Sequence, residues 1–146
     1  MNNLLPDEVL ALTIWGEARG ESIEGQVAVA NVVMNRYKSN LEKYKTVADV
    51  CLEPKQFSCW NKNDPNYPKL IELGNKIVIN GEDKADKILS QCLYIARGVM
   101  SFKLNDNTGS ARNYMTKTLF YSDKKPSWAN PVTTPKVIGS HIFFSV

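Results

Sequence analysis

The run Val9-Leu10-Ala11-Leu12-Thr13-Ile14-Trp15 constrains this chain more than any other stretch. It carries no charge, so a helix built from it has no side suited to water and belongs in a core. Pro6 suits a first helical position, and Asp7 and Glu8 sit favourably at the positive end of the helix dipole. A helix is therefore expected from about Pro6 to Ala18. It runs out at Gly16-Glu17-Ala18-Arg19-Gly20, where a carboxylate stands between two glycines. Each glycine weakens a helix by up to about 1 kcal/mol relative to alanine. Each also lets another backbone or a ligand come close. Burial disfavours the charged form of a carboxyl, and a glutamate kept protonated in this way can serve as a general acid. The competing reading is that Glu17 pairs with Arg19 or Arg36 and only holds helices together.

The rest of the chain reads as mainly helical. Ser22 can cap a second helix reaching about Tyr37, apolar on most sides through Val27, Val29, Val32, Val33 and Met34. Asn31, Asn35 and Arg36 then lie in or beside the core and need partners, since an unpaired buried polar group costs about 1–3 kcal/mol. Asn35 or Arg36 would either brace the Glu17 loop or make ordinary helix-end hydrogen bonds. Thr46 to Val50 suggests one or two helical turns. Glu53 to Pro68 is irregular, punctuated by Pro54, Asp64-Pro65 and Tyr67-Pro68. Helices are expected over Lys69–Asn80 and Ala85–Met100, with a turn at Asn80-Gly81-Glu82-Asp83 between them. Beyond Leu104 the sequence predicts a loop over Asp106–Ser110 and extended segments at Asn113–Thr116 and Leu119–Tyr121. A closing strand is expected over Val137–Phe144.

The 146 residues suit one domain, taken as 1–146, and 43% apolar residues supply a core. A net charge of +3 is too small to argue for nucleic acid, though it is compatible with an anionic polymer such as a bacterial wall. Cys51, Cys59 and Cys92 are an odd number without metal-like spacing and fit buried free thiols, with a Cys51–Cys59 bridge as the alternative. The first residues resemble no secretory signal, and no stretch is long enough for a membrane-spanning helix.

Four blocks carry a resemblance: Gly16-Glu17-Ala18-Arg19-Gly20-Glu21 with Gly25 to Arg36; Gln56-Phe57-Ser58-Cys59-Trp60-Asn61; Asp106 to Tyr114; and Ile138 to Phe143. In this order they are similar to the SleB/CwlJ-type cell wall hydrolases, which cut peptidoglycan glycan strands. The resemblance covers nearly the whole chain. It implies a compact lysozyme-like α+β domain, mainly helical, with a small β region late in the chain. It also implies cleavage of the β-1,4 bond between N-acetylmuramic acid and N-acetylglucosamine, with Glu17 as acid and base and no cofactor or metal. Gln56, Phe57, Trp60, Tyr114 and Asn35 become candidate substrate contacts, because flat rings cover sugar faces and amides meet hydroxyls and N-acetyl groups. Arg112 stands where relatives tend to carry a smaller or neutral residue, which leaves the fine substrate preference open. A monomer is expected, with peptidoglycan as its partner and neither nucleic acid nor membrane insertion. Without an export signal, a phage endolysin is the expected setting: made in the cytoplasm, then released to the wall or carried in a virion.

Two chemistries fit one glutamate. A hydrolase needs a second carboxylate, about 5–5.5 Å away for retention or about 6.5–9.5 Å for inversion. Glu21, Glu24, Asp49, Glu53 and Asp106 are the candidates. A lytic transglycosylase needs only Glu17 and closes a 1,6-anhydro ring; the resemblance favours it. His141, the only histidine, completes no zinc motif and no convincing Cys–His pair, so a structural hydrogen bond in the closing strand is its expected role. A non-catalytic wall-binding or virion protein of the same fold is the second hypothesis.

Overall fold

The computed structural model describes residues 3–82 and 86–146. Asp83 of the expected turn and Ala85 of the expected fifth helix lie outside them. The helices are α1 (Pro6–Ala18), α2 (Ile23–Ser39), α3 (Val47–Cys51), α4 (Tyr67–Asn80), α5 (Lys87–Met100) and α6 (Lys117–Phe120). The strands are β1 (Asn113–Thr116), β2 (Lys136–Ile138) and β3 (His141–Phe144). The protein is thus mainly helical, with a small sheet late in the chain, as expected.

The apolar run does become the central rod. α1 packs against α2, α3, α4 and α5, and Leu10, Leu12 and Ile14 are fully buried. Each such side chain stabilises the fold by roughly 1.5–3 kcal/mol through burial. At its start the Leu5 amide donates to the Glu8 carboxylate at 2.8 Å. At its far end, Arg19 donates to the Trp15 carbonyl at 3.0 Å and lies 4.0 Å over the Trp15 ring. Asn66 donates to the Gly16 carbonyl at 3.3 Å. These side chains satisfy carbonyls that the last helical turn leaves without partners. Ser22 caps α2 by accepting from the Gly25 amide.

The sheet has the order β1-β3-β2, antiparallel throughout. Tyr114 pairs with Phe143 and Met115 with Ile142. Alternation puts Tyr114 and Phe143 on one face. There Phe143 packs against Ala18, Ala28, Val29 and Val32, so this face covers α2 and the end of α1. Met115, Ile142 and Phe144 turn the other way, onto Ala129.

Two expectations need correcting. The closing segment is a hairpin rather than one strand: Ile138 pairs with His141 across Gly139 and Ser140. Gly139 has φ +60°, the conformation a two-residue hairpin loop asks of glycine. The segment expected to be extended at Leu119–Tyr121 instead begins within α6, because the Thr116 hydroxyl accepts from the Leu119 amide and starts a helical turn. Smaller differences lie at element ends, where α2 extends to Ser39 and α4 begins at Tyr67.

Candidate active site

Glu17 lies in the last turn of α1, half-buried. Three donors from distant parts of the chain meet its carboxylate. The Tyr114 hydroxyl donates to Oε1 at 3.0 Å. The Cys59 amide donates to Oε2 at 3.2 Å, and the Ser58 hydroxyl approaches the same oxygen at 3.4 Å. Neither arginine of the competing reading takes Glu17: Arg19 bonds Trp15 and Asn66, and Arg36 bonds Arg112 and Gln56.

Gly16 explains how the 58–60 turn gets so close. A Cβ at Gly16 would lie 2.6 Å from Cys59 Cβ and 2.8 Å from its sulfur. No other residue lets the two backbones approach in this way. The apolar neighbour is therefore the Cys59 side chain, and its amide is presented to the carboxylate beside it. Burial and the nearby Glu17 charge hold the Cys59 thiol well above its ordinary range, so it stays a neutral packing group.

Tyr114 is the second fixed point. Its ring stacks on Phe143 at 5.6 Å and meets the His141 ring edge-on at 5.3 Å. Burial first, and the Glu17 charge second, push its phenol well above the ordinary value. It therefore keeps its proton and remains available as a donor. Behind it, Glu21 accepts from the Ser140 amide at 3.1 Å and from its hydroxyl at 2.9 Å, and lies 3.3 Å from His141 Nδ1. Burial would raise the Glu21 carboxyl, but the Ser140 bonds and His141 outweigh it and hold it below its ordinary value.

The other candidate acids are engaged elsewhere. Asp106 accepts from Thr108, Ser110 and Asn35 and ties its own loop. Burial would raise it, and these bonds lower it below its ordinary value. Asp49 accepts from the Lys45 and Thr46 amides. Glu53 pairs with Lys43 and Tyr44, and Glu24 is exposed at the start of α2.

The candidate contacts separate by placement. Gln56 lies at the surface and accepts from Arg36 at 3.2 Å. Phe57 is 2% exposed beneath the Arg36 guanidinium, so its ring presents no face to solvent. Trp60 is half-buried, its indole N–H donating to Thr13 at 2.9 Å. Asn35 is buried and donates to Asp106 at 3.0 Å and to the Ala111 carbonyl at 2.9 Å. Asn35 and Arg36 therefore brace the 105–112 loop rather than the Glu17 loop, since both project from α2 toward that loop. Sequence reasoning missed the Cys59 amide and the Glu21–Ser140–His141 cluster. Gly16 beside Glu17 was the one available sign of the first; the second depends on the hairpin turn.

Among the described residues there is no group of three or more His, Cys, Asp or Glu side chains able to hold a metal ion. No described helix is long and apolar enough to cross a membrane. All three cysteines are free and buried.

The fold and site together define a mainly helical α+β domain that brings a hydroxyl and a backbone amide onto one glutamate at a helix end. The chain is a member of the cell wall hydrolase family, whose model matches residues 20–144. That match starts past Glu17. Over 84 residues the chain is 50% identical to a spore cortex-lytic enzyme of Bacillus subtilis, covering 56% of this chain and 27% of that protein. Over 51 residues it is 49% identical to one of Oceanobacillus iheyensis, covering 35% and 18%. It thus spans about a quarter or less of these relatives. Two solved catalytic domains share the fold at 26% identity. That of the germination-specific lytic transglycosylase SleB from Bacillus anthracis has a TM-score of 0.61, covering 96% of this chain and 93% of that one. That of Bacillus cereus SleB has a TM-score of 0.60, covering 99% and 91%.

Proposed function

We propose that this protein cleaves the β-1,4 bond between N-acetylmuramic acid and N-acetylglucosamine in peptidoglycan, as a one-glutamate lytic transglycosylase. The observation that carries this reading is the Glu17 carboxyl, held at both oxygens by Tyr114 and Cys59 while every other candidate acid is occupied or remote from those donors. Family membership and the two catalytic-domain neighbours support the substrate class.

The reaction begins with Glu17 protonated. It gives its proton to the bridging oxygen as the bond from that oxygen to the muramic anomeric carbon breaks. The resulting carboxylate takes the proton of the muramic 6-hydroxyl, whose oxygen bonds the anomeric carbon and closes the 1,6-anhydro ring. Glu17 is then protonated again and no water is consumed. The Cys59 amide can only donate, so it serves Oε2 as an acceptor throughout. The Tyr114 hydroxyl can donate to the carboxylate or turn to accept from the acid, so both protonation states keep a partner.

Glu17→Gln should keep the fold and abolish release of soluble fragments from purified peptidoglycan. Unchanged release, measured beside an unaltered circular dichroism spectrum, would end the proposal. The mass of the products reads the route, since anhydro-muropeptides weigh one water less than hydrolysed ones. A hydrolytic muramidase is the second reading, because half-buried Glu21 lies 3.3 Å from His141, whose ring meets Tyr114 edge-on. Hydrated products lost in Glu21→Gln would favour it.

A further inference from the structure

Arg36 leaves α2 half-buried, beside the site, with no carboxylate within ion-pair distance among the described residues. Its Nε donates to the Arg112 carbonyl at 2.7 Å and its Nη1 to Gln56 at 3.2 Å, over the Phe57 ring at 5.2 Å. Nη2 makes no hydrogen bond among the described residues. Burial lowers the Arg36 pKa, and a guanidinium keeps its charge in proteins. Next to it lies an open depression of about 410 Å³ lined by Asn35, Lys38, Ser39, Ser110, Arg112 and Ser145. Lys38 and Arg112 are exposed, and neither side chain makes a described ion pair or hydrogen bond. The Arg112 backbone is pinned, its carbonyl by Arg36 and its amide by the Ser145 hydroxyl at 3.3 Å. Arg112 lies just before β1, two residues and about 7 Å along the chain from Tyr114.

Two exposed cations, Lys38 and Arg112, and three serine hydroxyls thus line the depression, with Arg36 beside it; the Asp106 carboxylate, bonded to Asn35 and Ser110 of the lining, is already held by them and by Thr108. We propose that this shelf receives the carboxylates of the acidic stem peptide that hangs from the muramic lactyl group, so that the protein prefers glycan still bearing carboxylate-rich peptides. This rests on the reading of Glu17 as a glycan-cleaving acid and adds which glycan it takes. The shelf offers the Arg112 guanidinium for forked bonds to carboxylates and Lys38 as a point charge. Lys38 and Arg112 together supply the charge of that rim.

The test uses purified peptidoglycan in three forms: stem carboxylates free, the same carboxylates converted to amides with carbodiimide and ammonia, and glycan stripped of its peptides by an amidase. The wild-type protein should half-saturate on the free form at about three- to tenfold lower concentration than on the amide form, a difference shrinking with added salt. In the double variant Lys38→Gln/Arg112→Gln that ratio should fall toward one. Both residues are exposed, so the variant should fold, which thermal melting verifies. Equal half-saturation on both forms by wild type, or an unchanged ratio in the variant, would overturn the proposal. So would undiminished preference for stripped glycan, which would assign the shelf to the lactyl carboxylate. Failure of wild type to cleave any form would be the failure of the glycan-cleaving reading, and is thereby distinguishable.

Discussion

Tyr114 has one hydroxyl and one polar task in this structure, to meet Glu17. Tyr114→Phe keeps the ring stack on Phe143 and removes only that oxygen. The expected result is a folded protein whose kcat falls about tenfold or more while KM barely moves, since one hydrogen bond to a charged group is worth roughly 1.5–3 kcal/mol. Initial rates against substrate concentration check it; an unaltered kcat would leave Tyr114 as packing alone. Glu21 belongs to the same scale but to stability. Ser140 and His141 hold its folded pKa below the ordinary 4.5. Its stabilising contribution is therefore present above that value and lost as pH falls through the lower folded one. Thermal midpoints should drop on acidification below about pH 4.5, and the drop should be shallower in Glu21→Gln. It should not vanish there, because Asp106 is lowered too.

At the level of elements, the end of α1 and the 58–60 turn behave as one unit because of a missing Cβ. Gly16→Ala forces Cys59 away by several tenths of an ångström, and the Cys59 amide leaves Glu17 with it. Gly20, only four residues on, has open space where a Cβ would go. Gly20→Ala should stay within about 1 kcal/mol of wild type and keep its activity, whereas Gly16→Ala should lose most of its activity. Parallel melts and lysis rates on the two variants check this, and equal behaviour would refute the close-approach argument. α1 was legible because an uncharged run bounded by Pro6 and Gly16 permits little else. β1 was legible from local patterning, but the turn at Gly139 and the helical turn at Lys117 were not. Both are set by pairings, Ile138 with His141 and Thr116 with Leu119, that a linear pattern does not display. The Glu17 end of the site was legible for the same reason as α1. Its donors were not all legible, because Cys59 contributes an amide, which has no signature in residue type. Phe57 illustrates the converse: an aromatic in a polar loop reads as a sugar platform, yet its ring is spent under Arg36.

Across the whole molecule, the site draws one residue from the first helix, one turn from the middle and one strand from the last third. Its geometry therefore exists only when the core joining those parts is intact. The cysteines report on that core. Cys51 is fully buried against α1 and its thiol is pushed up to about 12 by burial; Cys92, on α5, is pushed equally far for the same reason. Cys59 sits directly behind the catalytic candidate. A neutral, buried thiol is a poor nucleophile, so all three should resist a thiol reagent at pH 8 in the native protein and react in denaturant. If the site and the core are one cooperative unit, thiol exposure and loss of activity should follow a single denaturant curve. Should Cys59 become reactive at lower denaturant than Cys51 and Cys92, with activity lost alongside it, the 58–60 turn would open separately. The hold on Glu17 would then be a local equilibrium, not a property of the fold as a whole.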